Sequence, residues 1–432
     1  MRPGRPMDSP REFELPPVPF EATVALPGDK SLGHRALVLA AMAKGESVVA
    51  NVPQSGDLDS TRAVTSFLGV EHTADRVRSP GIANWSAPDS SLDCGNSGTT
   101  MRLLTGSIAG SRTDATLIGD ESLMKRPMQR LVGPLAKLGA KVAVAPSGTA
   151  PIEIAGTSLV GAKVNLPIAS AQVRTAVALA ALSAKGETEI DSPPGFRDHT
   201  ERWLAYLGLG EATSPTLFRV TPGDVCPLNI TVPGDTSSAA FLWAAAAVTP
   251  GSRIVTPNVS LNPGRTGFLE ILEQMGCGIT IELTDPIMGD PVGSVSVQAA
   301  DLDGIEVGGE LAVRSLDELP LLAVVAAAAT GPTVVSGAAE LRAKESDRVA
   351  SSVALAELAG AGAHPSADGF TVAPVAGATN DPTTIDARSD HRIAMAASIA
   401  SLVRKSKIGI SGFGAADVSW PGFGDVVEGL WS

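Results

Sequence analysis

The chain has few aromatic residues and no long apolar run. Phe, Trp and Tyr make up 4% of its 432 residues, so small aliphatic side chains must fill its cores. The apolar stretches Ala239 to Val248 and Leu319 to Ala329 are shorter than the about 20 residues that span a bilayer, and therefore predict buried helices. Residues 1–20 lack the apolar segment of a secretory signal, which favours a cytoplasmic location.

Cysteine and positive charge are also scarce. The three cysteines are widely spaced and form no C-x-x-C pair, and the five histidines show no metal-ligand spacing, so neither a disulfide framework nor a metal site is expected. A net charge of −13 disfavours nucleic acid or an anionic membrane as a partner. An anionic substrate would need a locally concentrated basic pocket.

One pattern recurs six times: an Ala/Leu-rich helix, a small-residue turn and a short β-branched strand. The copies begin at Leu37, Leu103, Val177, Leu242, Leu321 and Met395. The motif P-G-D-K-S at 27–31 is echoed by P-G-D-T-S at 233–237, about half a chain later. Solenoid repeats usually span about 20 to 45 residues, and the spacing here is longer. We therefore predict two α/β domains of three units each rather than a solenoid.

Four polar clusters in the first half could bind an anion, although each, taken alone, also has a plainer explanation: in chain order, a capped surface helix, a strand-to-helix turn, a solvated loop and helix capping. They are P-G-D-K-S-L-G-H-R at 27–35, D-C-G-N-S-G-T-T-M-R-L-L at 93–104, M-K-R-P at 124–127 and S-A-Q-V-R at 170–174. Lys30 and Ser31 lie at a predicted helix N-terminus, where backbone N–H groups favour an anion, and Ser31 could cap that helix. Arg35 follows one turn later on the same face.

Three clusters in the second half combine cations with carboxylates. They are R-S-L-D-E-L-P at 314–320, L-R-A-K-E-S-D-R at 341–348 and S-D-H-R at 389–392. Asp317 precedes an apolar helix and could be only its cap. The spacing of Lys344, Glu345 and Arg348 also fits a helical ion-pair network. Arg392 lies at a predicted helix start, where a cation opposes the helix dipole, so a negative group should compensate it.

Together these motifs resemble the 5-enolpyruvylshikimate-3-phosphate (EPSP) synthases over nearly the whole chain. The matching motifs are P-G-D-K-S with its trailing H-R, G-N-S-G-T-T-M-R, K-R-P, S-A-Q, D-H-T-E-R from Asp198, D-E-L-P, K-E-S-D-R and D-H-R. The resemblance implies a two-domain inside-out α/β barrel of six βαβαββ repeats, three per domain. Residues 29–233 would form one domain and residues 1–28 with 234–432 the other, with a hinge near 28 and 233.

The resemblance also implies an activity of the shikimate pathway: transfer of the enolpyruvyl group of phosphoenolpyruvate to the 5-hydroxyl of shikimate 3-phosphate, with release of phosphate and without metal or cofactor. Shikimate 3-phosphate would contact Lys30, Ser31, Arg35, Ser170, Gln172, Asp317 and Lys344. Phosphoenolpyruvate would contact Lys30, Gly98, Arg126, Gln172, Arg348 and Arg392. Asp317 would be the general base for the 5-hydroxyl, and Glu345 with Lys30 would handle the proton at C3. A cytoplasmic monomer is expected.

The chain departs from the commonest family pattern at three positions. Ala171 stands where many members have a second serine, and Leu103 where many have proline. Val418 stands where many have a lysine that contacts phosphoenolpyruvate. Glyphosate competes with phosphoenolpyruvate in this family and depends on the same cations, so we expect weakened inhibition.

Two alternative functions share this scaffold. The sister enzyme transfers enolpyruvyl to UDP-N-acetylglucosamine, but its usual loop cysteine is missing from 119–127 and its K-N start is K-S here. A non-catalytic anion-binding protein would gain nothing from Asp317 and Glu345 beside the cations. An RNA-end-processing enzyme of similar modular build is disfavoured by the acidic net charge.

Overall fold

Helices and strands alternate along the chain in the computed structural model, which describes residues 10–194, 197–374 and 383–432. The α-helices are α1 Lys30–Met42, α2 Gly56–Phe67, α3 Gly98–Ser111, α4 Gln129–Lys137, α5 Ala171–Ala181, α6 His199–Tyr206, α7 Thr236–Ala247, α8 Gly267–Gln274, α9 Gly309–Arg314, α10 Leu319–Ala326, α11 Arg348–Leu358, α12 His391–Arg404 and α13 Phe423–Glu428. Short 3₁₀-helices span Ile82–Asn84, Leu123–Lys125, Ala339–Ala343, Phe413–Val418 and Gly429–Trp431.

The strands are short. They are β1 Arg11–Phe13, β2 Glu21–Thr23, β3 Lys44–Ala50, β4 Glu71–Thr73, β5 Arg76–Pro80, β6 Leu92–Asp93, β7 Ala115–Ile118, β8 Lys141–Val144, β9 Ile152–Ala155, β10 Lys163–Asn165, β11 Thr188–Asp191, β12 Gly210–Ala212, β13 Leu217–Val220, β14 Asn229–Thr231, β15 Arg253–Ser260, β16 Gly278–Leu283, β17 Val292–Gln298, β18 Glu306–Val307, β19 Thr333–Val335, β20 Gly362–Pro365, β21 Phe370–Ala373, β22 Thr383–Asp386 and β23 Ile408–Ser411.

The chain divides into two units. The middle unit comprises 27–233 and 286–291, and the terminal unit comprises the described residues of 10–26, 234–285 and 292–432. The terminal unit thus includes strands from both ends of the described chain, because β1 pairs with β23 and β2 pairs with β15.

In the part of the chain that the structure describes, each unit contains three sheets. Those of the middle unit run β14-β3-β5-β4, β6-β7-β9-β8 and β10-β11-β13-β12, and those of the terminal unit run β16-β17-β15-β2, β18-β19-β21-β20 and β1-β23-β22. In the sheet of β6 to β9, for example, β6 and β7 are parallel with α3 between them, and β9 joins antiparallel to both β7 and β8. Each of the six predicted helix–turn–strand copies ends in one of these sheets.

Helices α3 and α5 are buried and closely packed. Helix α3 lies so close to α5 that a Cβ at Gly106 would be 2.0 Å from the carbonyl oxygen of Ala176, so only glycine permits this approach. Each unit has an apolar cluster of its own, with Trp203 in the middle unit and Trp243 in the terminal unit. No described helix is both long enough and apolar enough to cross a bilayer.

The unit boundaries can be set beside the predicted domains. Residues 27 and 28 group with the middle unit, although the prediction placed them with the other domain. The prediction also placed 286–291 in the domain of 234–432, and this was wrong in detail, because that segment packs with the middle unit. The hinge near 28 and 233 stays a prediction.

Candidate active site

Lys30 is the first residue of α1 and contacts an acidic residue of α2. The helix is capped by Asp29, whose side chain accepts the N–H of Leu32 at 2.9 Å, so the cap is not Ser31, which the sequence allowed. Lys30 Nζ lies 3.2 Å from Asp57 Oδ2. Burial alone would raise the pKa of Asp57, but nearby positive charges, led by Lys30 and including Arg126, hold it below its usual value.

Arg35 is buried among hydroxyl and carbonyl groups. Its Nη1 donates to the carbonyl of Ser31 at 2.9 Å, its Nε to Thr200 Oγ1 at 2.8 Å and its Nη2 to Thr175 Oγ1 at 3.2 Å. The predicted proximity of Arg35 to Ser31 is therefore present. The guanidinium is held in one orientation by groups of α1, α5 and α6.

Two guanidinium groups flank the N-terminus of α3. Ser97 caps this helix by accepting the N–H of Thr100 at 3.2 Å. A Cβ at Gly98 would lie 2.9 Å from Nη1 of Arg102 and 3.5 Å from Nη1 of Arg126. The absence of a side chain at Gly98 therefore leaves space beside both cations.

The two adjacent cations of K-R-P contact different partners. Lys125 is exposed and pairs with Glu121, whereas Arg126 donates from Nη2 to Asn96 Oδ1 at 2.6 Å. Asn96 in turn donates to Asp120 Oδ2 at 2.6 Å. Arg126 is therefore oriented beside the N-terminus of α3.

Gln172, in the first turn of α5, connects α5 to α3. Its Nε2 donates to Thr99 Oγ1 at 2.9 Å, and its Oε1 accepts from Arg102 Nη1 at 2.6 Å. Ser170 caps α5, as the sequence allowed. Burial, with Arg130 and Arg126 nearby, lowers the pKa of Arg102 to about 9. The sequence reasoning gave Arg102 no role, although its position four residues after Gly98 places both on one helix face.

In the terminal unit, three cations surround Asp317. Its Oδ1 lies 3.4 Å from Arg348 Nη1 and 3.9 Å from Lys344 Nζ, and its Oδ2 lies 3.7 Å from Arg392 Nη2. Its side chain is 15% exposed. Asp317 lies in the turn before α10, and Glu318, not Asp317, occupies the capping position of that helix.

Arg348 is the buried centre of this group, with its side chain 1% exposed. It donates from Nε and Nη2 to the two carboxylate oxygens of Asp390 at 2.8 and 3.1 Å, and from Nη2 to Glu345 Oε2 at 2.7 Å. Burial would lower the pKa of Arg348, but Glu345 and Asp390 raise it above its usual value. Since α11 begins only at Arg348, the ion pairs around Lys344 and Glu345 form outside a helix, unlike the helical network that their spacing suggested.

Arg392 lies in the first turn of α12, where a compensating negative charge was expected. Asp390 caps this helix and accepts the N–H of Arg392 at 3.0 Å. The Nη1 of Arg392 donates to Glu318 Oε1 at 3.2 Å and to the carbonyl of Asp317 at 3.1 Å. Buried Glu318, which also accepts from Ser237, was missed from the sequence, although it follows Asp317 directly.

The predicted site residues thus fall into two groups, one in each unit, and each group contains cations. Those of the middle unit are Lys30, Ser31, Arg35, Gly98, Arg126, Ser170 and Gln172, and those of the terminal unit are Asp317, Lys344, Glu345, Arg348 and Arg392. Within the described ranges, no group of three or more His, Cys, Asp or Glu side chains is arranged to hold a metal ion. A surface groove along β7, β8 and β9 contains none of the predicted site residues.

Residues 16–427 match the model of the family described as EPSP synthase (3-phosphoshikimate 1-carboxyvinyltransferase). The chain belongs to the EPSP synthase family. The resemblance inferred from the motifs is thereby confirmed.

Similar sequences and solved structures support the same family assignment. The 3-phosphoshikimate 1-carboxyvinyltransferase of Roseiflexus sp. (strain RS-1) is 42% identical over 422 residues, which cover 95% of this chain and 97% of the relative. The EPSP synthase structure from Acinetobacter baumannii is 36% identical with a TM-score of 0.86, and 96% of each chain is covered. The enolpyruvyl transferase NikO from Streptomyces tendae, at 16% identity and a TM-score of 0.76, shares the fold. The predicted fold class is confirmed.

The three departures from the EPSP synthase pattern lie in different settings. Leu103 is fully buried in α3, and Ala171 is the first residue of α5. Val418, which ends the 3₁₀-helix Phe413–Val418, is 45% exposed. A side chain at position 418 can therefore reach solvent.

Proposed function

We propose that this chain transfers the enolpyruvyl group of phosphoenolpyruvate to the 5-hydroxyl of shikimate 3-phosphate and releases phosphate. The observation that carries the proposal is the position of Asp317 among Lys344, Arg348 and Arg392, in a chain whose near-full-length relatives are named 3-phosphoshikimate 1-carboxyvinyltransferases. A carboxylate is useful beside anion-binding cations when a proton must be moved.

The two substrates together bring two phosphate and two carboxylate groups. Guanidinium groups bind such anions through pairs of charged hydrogen bonds. Arg126 in the middle unit, and Arg348 and Arg392 in the terminal unit, are the proposed ligands of phosphoenolpyruvate, together with Lys30, Gly98 and Gln172. Gly98 contributes space, because a Cβ there would crowd the Arg102 guanidinium at 2.9 Å and would contact Arg126 at 3.5 Å.

Shikimate 3-phosphate is assigned to an overlapping set of groups, which shares Lys30 and Gln172 with phosphoenolpyruvate. The proposed ligands are Lys30, Ser31, Arg35, Ser170, Gln172, Asp317 and Lys344. Lys30 and Ser31 open α1, and Ser170 caps α5, so both helix N-termini favour the phosphate.

Asp317 and Asp390 differ in how firmly their carboxylates are bound. Asp390 is buried and pairs with Arg348 through both oxygens, which suits a structural role. The cations around Asp317 lie 3.4 to 3.9 Å away, and its side chain is partly exposed. Asp317 is therefore the better candidate to accept a proton.

The reaction needs protons at two atoms. Asp317 accepts the proton of the 5-hydroxyl while the oxygen of that hydroxyl attacks C2 of phosphoenolpyruvate. In the same step, C3 gains a proton from Glu345 or Lys30. The tetrahedral intermediate then loses phosphate and one C3 proton, which returns to the same pair. Glu345, with its side chain 35% exposed beside Arg348, can exchange protons with solvent.

Phosphate release from phosphoenolpyruvate, measured with each of two acceptors, tests this function. We expect release with shikimate 3-phosphate and none with UDP-N-acetylglucosamine, and mass spectrometry should show the enolpyruvyl product. Release only with the sugar nucleotide would assign the sister activity, and binding of both anions without release would favour a non-catalytic protein. Arg392→Gln should raise KM for phosphoenolpyruvate, whereas the matched control Arg253→Gln, at an exposed arginine paired with Glu21, should not.

The predicted monomeric state and cytoplasmic location remain predictions. Light scattering coupled to size exclusion tests the first, and cell fractionation tests the second. A stable dimer at micromolar concentration would contradict the first.

A further inference from the structure

A buried polar cluster in the middle unit involves the motif D-H-T-E-R, to which the proposed site assigns no role. His199, the first residue of α6, lies with Nδ1 2.9 Å from Asp290 Oδ2. One turn later, Trp203 Nε1 donates to the same oxygen at 3.0 Å. His199, Trp203 and Asp290 are each 0% exposed. Asp290 therefore fixes the first turn of α6 through two buried hydrogen bonds.

Asp290 belongs to the segment Pro286–Pro291, which we call the strap. The chain leaves the terminal unit after β16, contributes the strap to the middle unit and returns in β17. Ile287 and Asp290 exchange two backbone hydrogen bonds of 3.0 Å. Between them, Met288 and Gly289 have φ values of 50° and 80°, as a type I′ hairpin turn requires.

The strap also has an apolar anchor. Met288 is buried in the apolar cluster of the middle unit, and Ile287 packs against the same cluster. Arg202 of α6 donates to the carbonyl of Gly289 at 3.4 Å. The strap is thus bound to α6 by side-chain and backbone contacts.

Helix α6 in turn orients Arg35. Thr200, directly after His199, accepts from Arg35 Nε at 2.8 Å and lies 2.6 Å from the hydroxyl of Thr175, which accepts from Nη2 of the same arginine. Burial lowers the pKa of Arg35, and the negative charges of Glu201, Asp29 and Asp290 oppose this shift. A rotation of the first turn of α6 would therefore remove a hydrogen-bond partner of a proposed substrate ligand.

We propose that Asp290 is a positioning residue for shikimate 3-phosphate: it fixes α6 through His199 and Trp203, and thereby holds Thr200 where Arg35 keeps its binding orientation. The proposal rests on the proposed function, because it takes Arg35 as a ligand of shikimate 3-phosphate. It gives the strap, which is supplied by the chain of the terminal unit, a role in substrate affinity.

The test compares Asp290→Ala with Asp290→Asn. The alanine variant removes both hydrogen bonds to α6, whereas asparagine keeps an acceptor oxygen for His199 and Trp203. Asp290→Ala should weaken shikimate 3-phosphate binding by about 3- to 30-fold, with kcat and the KM for phosphoenolpyruvate little changed. Asp290→Asn should remain within about 2-fold of the wild type. Ile152→Ala, in the core of the same unit but in β9, is the matched control for lost stability.

A double-mutant cycle shows whether Asp290 acts through Arg35. If it does, Asp290→Ala should add no further loss of affinity in an Arg35→Gln background. Fully additive losses, or a loss no larger than that of Ile152→Ala, would overturn the proposal. Equal losses of affinity in Asp290→Ala and Asp290→Asn would show that the negative charge of Asp290, and not its hydrogen bonds to α6, supports binding. That result would also overturn the proposal.

Two measurements keep the outcome readable. If Asp290→Ala does not fold, Trp203→Phe serves in its place, because it removes one of the two hydrogen bonds to Asp290. This variant should also bind shikimate 3-phosphate more weakly than the wild type. Hydrogen exchange of the α6 amides needs no ligand and should be faster in either variant. Absence of shikimate 3-phosphate binding by the wild-type chain would refute the proposed function. Unchanged hydrogen exchange of the α6 amides in these variants would instead refute the proposal that Asp290 of the strap fixes α6.

Discussion

Replacing Asp317 by asparagine isolates the proton acceptor from the anion-binding groups. The amide has the shape of the carboxylate but cannot accept the proton of the 5-hydroxyl. A positioned general base contributes about 10²- to 10⁴-fold to turnover. We therefore expect Asp317→Asn to lower kcat by that factor, which corresponds to about 3 to 5.5 kcal/mol in the activation free energy.

Substrate binding should respond in the opposite sense. Asp317 faces Arg348, Arg392 and Lys344 at 3.4 to 3.9 Å, so its negative charge offsets part of their attraction for anions. Without that charge, the dissociation constant for phosphoenolpyruvate should stay equal or fall. Because these ion pairs are long, the free energy of unfolding should change by no more than about 1 to 2 kcal/mol.

The assay is single-turnover phosphate release, paired with equilibrium titration of each substrate. Glu340→Gln is the matched control, because exposed Glu340 lies 3.2 Å from the Nζ of the same Lys344. It removes one negative charge beside that lysine and should leave kcat within about 2-fold of the wild type.

Two results would refute this reasoning. Turnover by Asp317→Asn within about 5-fold of the wild type would reject Asp317 as the base. A comparable loss in Glu340→Gln would show that the local charge balance, and not proton transfer, governs the rate.

Three further predictions concern other parts of the chain. Burial lowers the pKa of His34 to about 3, so below pH about 6.5 the unfolded chain binds a proton that the folded chain does not. The free energy of unfolding should therefore fall with decreasing pH by up to about 1.4 kcal/mol per pH unit because of this group. Urea titrations at several pH values should show that the free energy of unfolding of His34→Gln depends less steeply on pH than that of the wild type. An equal pH dependence in the two proteins would contradict this prediction. Because the proposed ligands of shikimate 3-phosphate belong to both units, saturating ligand should reduce the radius of gyration in small-angle scattering, and an unchanged radius would exclude closure. Val418→Lys should tighten glyphosate inhibition by up to about 1.5 to 3 kcal/mol. The gain should be much smaller if the new ammonium stays solvated, as the exposure of Val418 favours. An already tight inhibition constant that the substitution leaves unchanged would show that the missing lysine has no bearing on the site.

Much of the fold could be predicted because its signals are local. Each of the six helix–turn–strand copies appears, for example as α3 with β7 and α10 with β19. Helical periodicity and β-branched runs report on burial within a few residues, so neither needs distant contacts. The start of a helix at Arg392 was also predicted, and Arg392 lies in the first turn of α12.

The remainder depended on contacts between distant residues. Arg102 and Glu318 are ordinary residue types beside a glycine motif and a carboxylate, and only the approach of Gln172 and Arg392 reveals their partners. The cap of α1 could not be assigned from the sequence either, because Asp29 and Ser31 are both favourable capping residues. The strap escaped prediction because its partners in α6 lie about ninety residues earlier, as the separation of 91 between His199 and Asp290 shows.

The pairing of β1 with β23 has a consequence for how the chain is made. Phe13 pairs with Ile408, so a ribosome adding about 5 to 20 residues per second needs roughly 20 to 80 seconds between the two strands. The segment 27–233 is synthesised early and continuously, whereas β1 must wait for β23 until synthesis is almost complete. The first strand of the described chain is thus among the last to find its partner. Deletion of either β1 or β23 would open the same sheet.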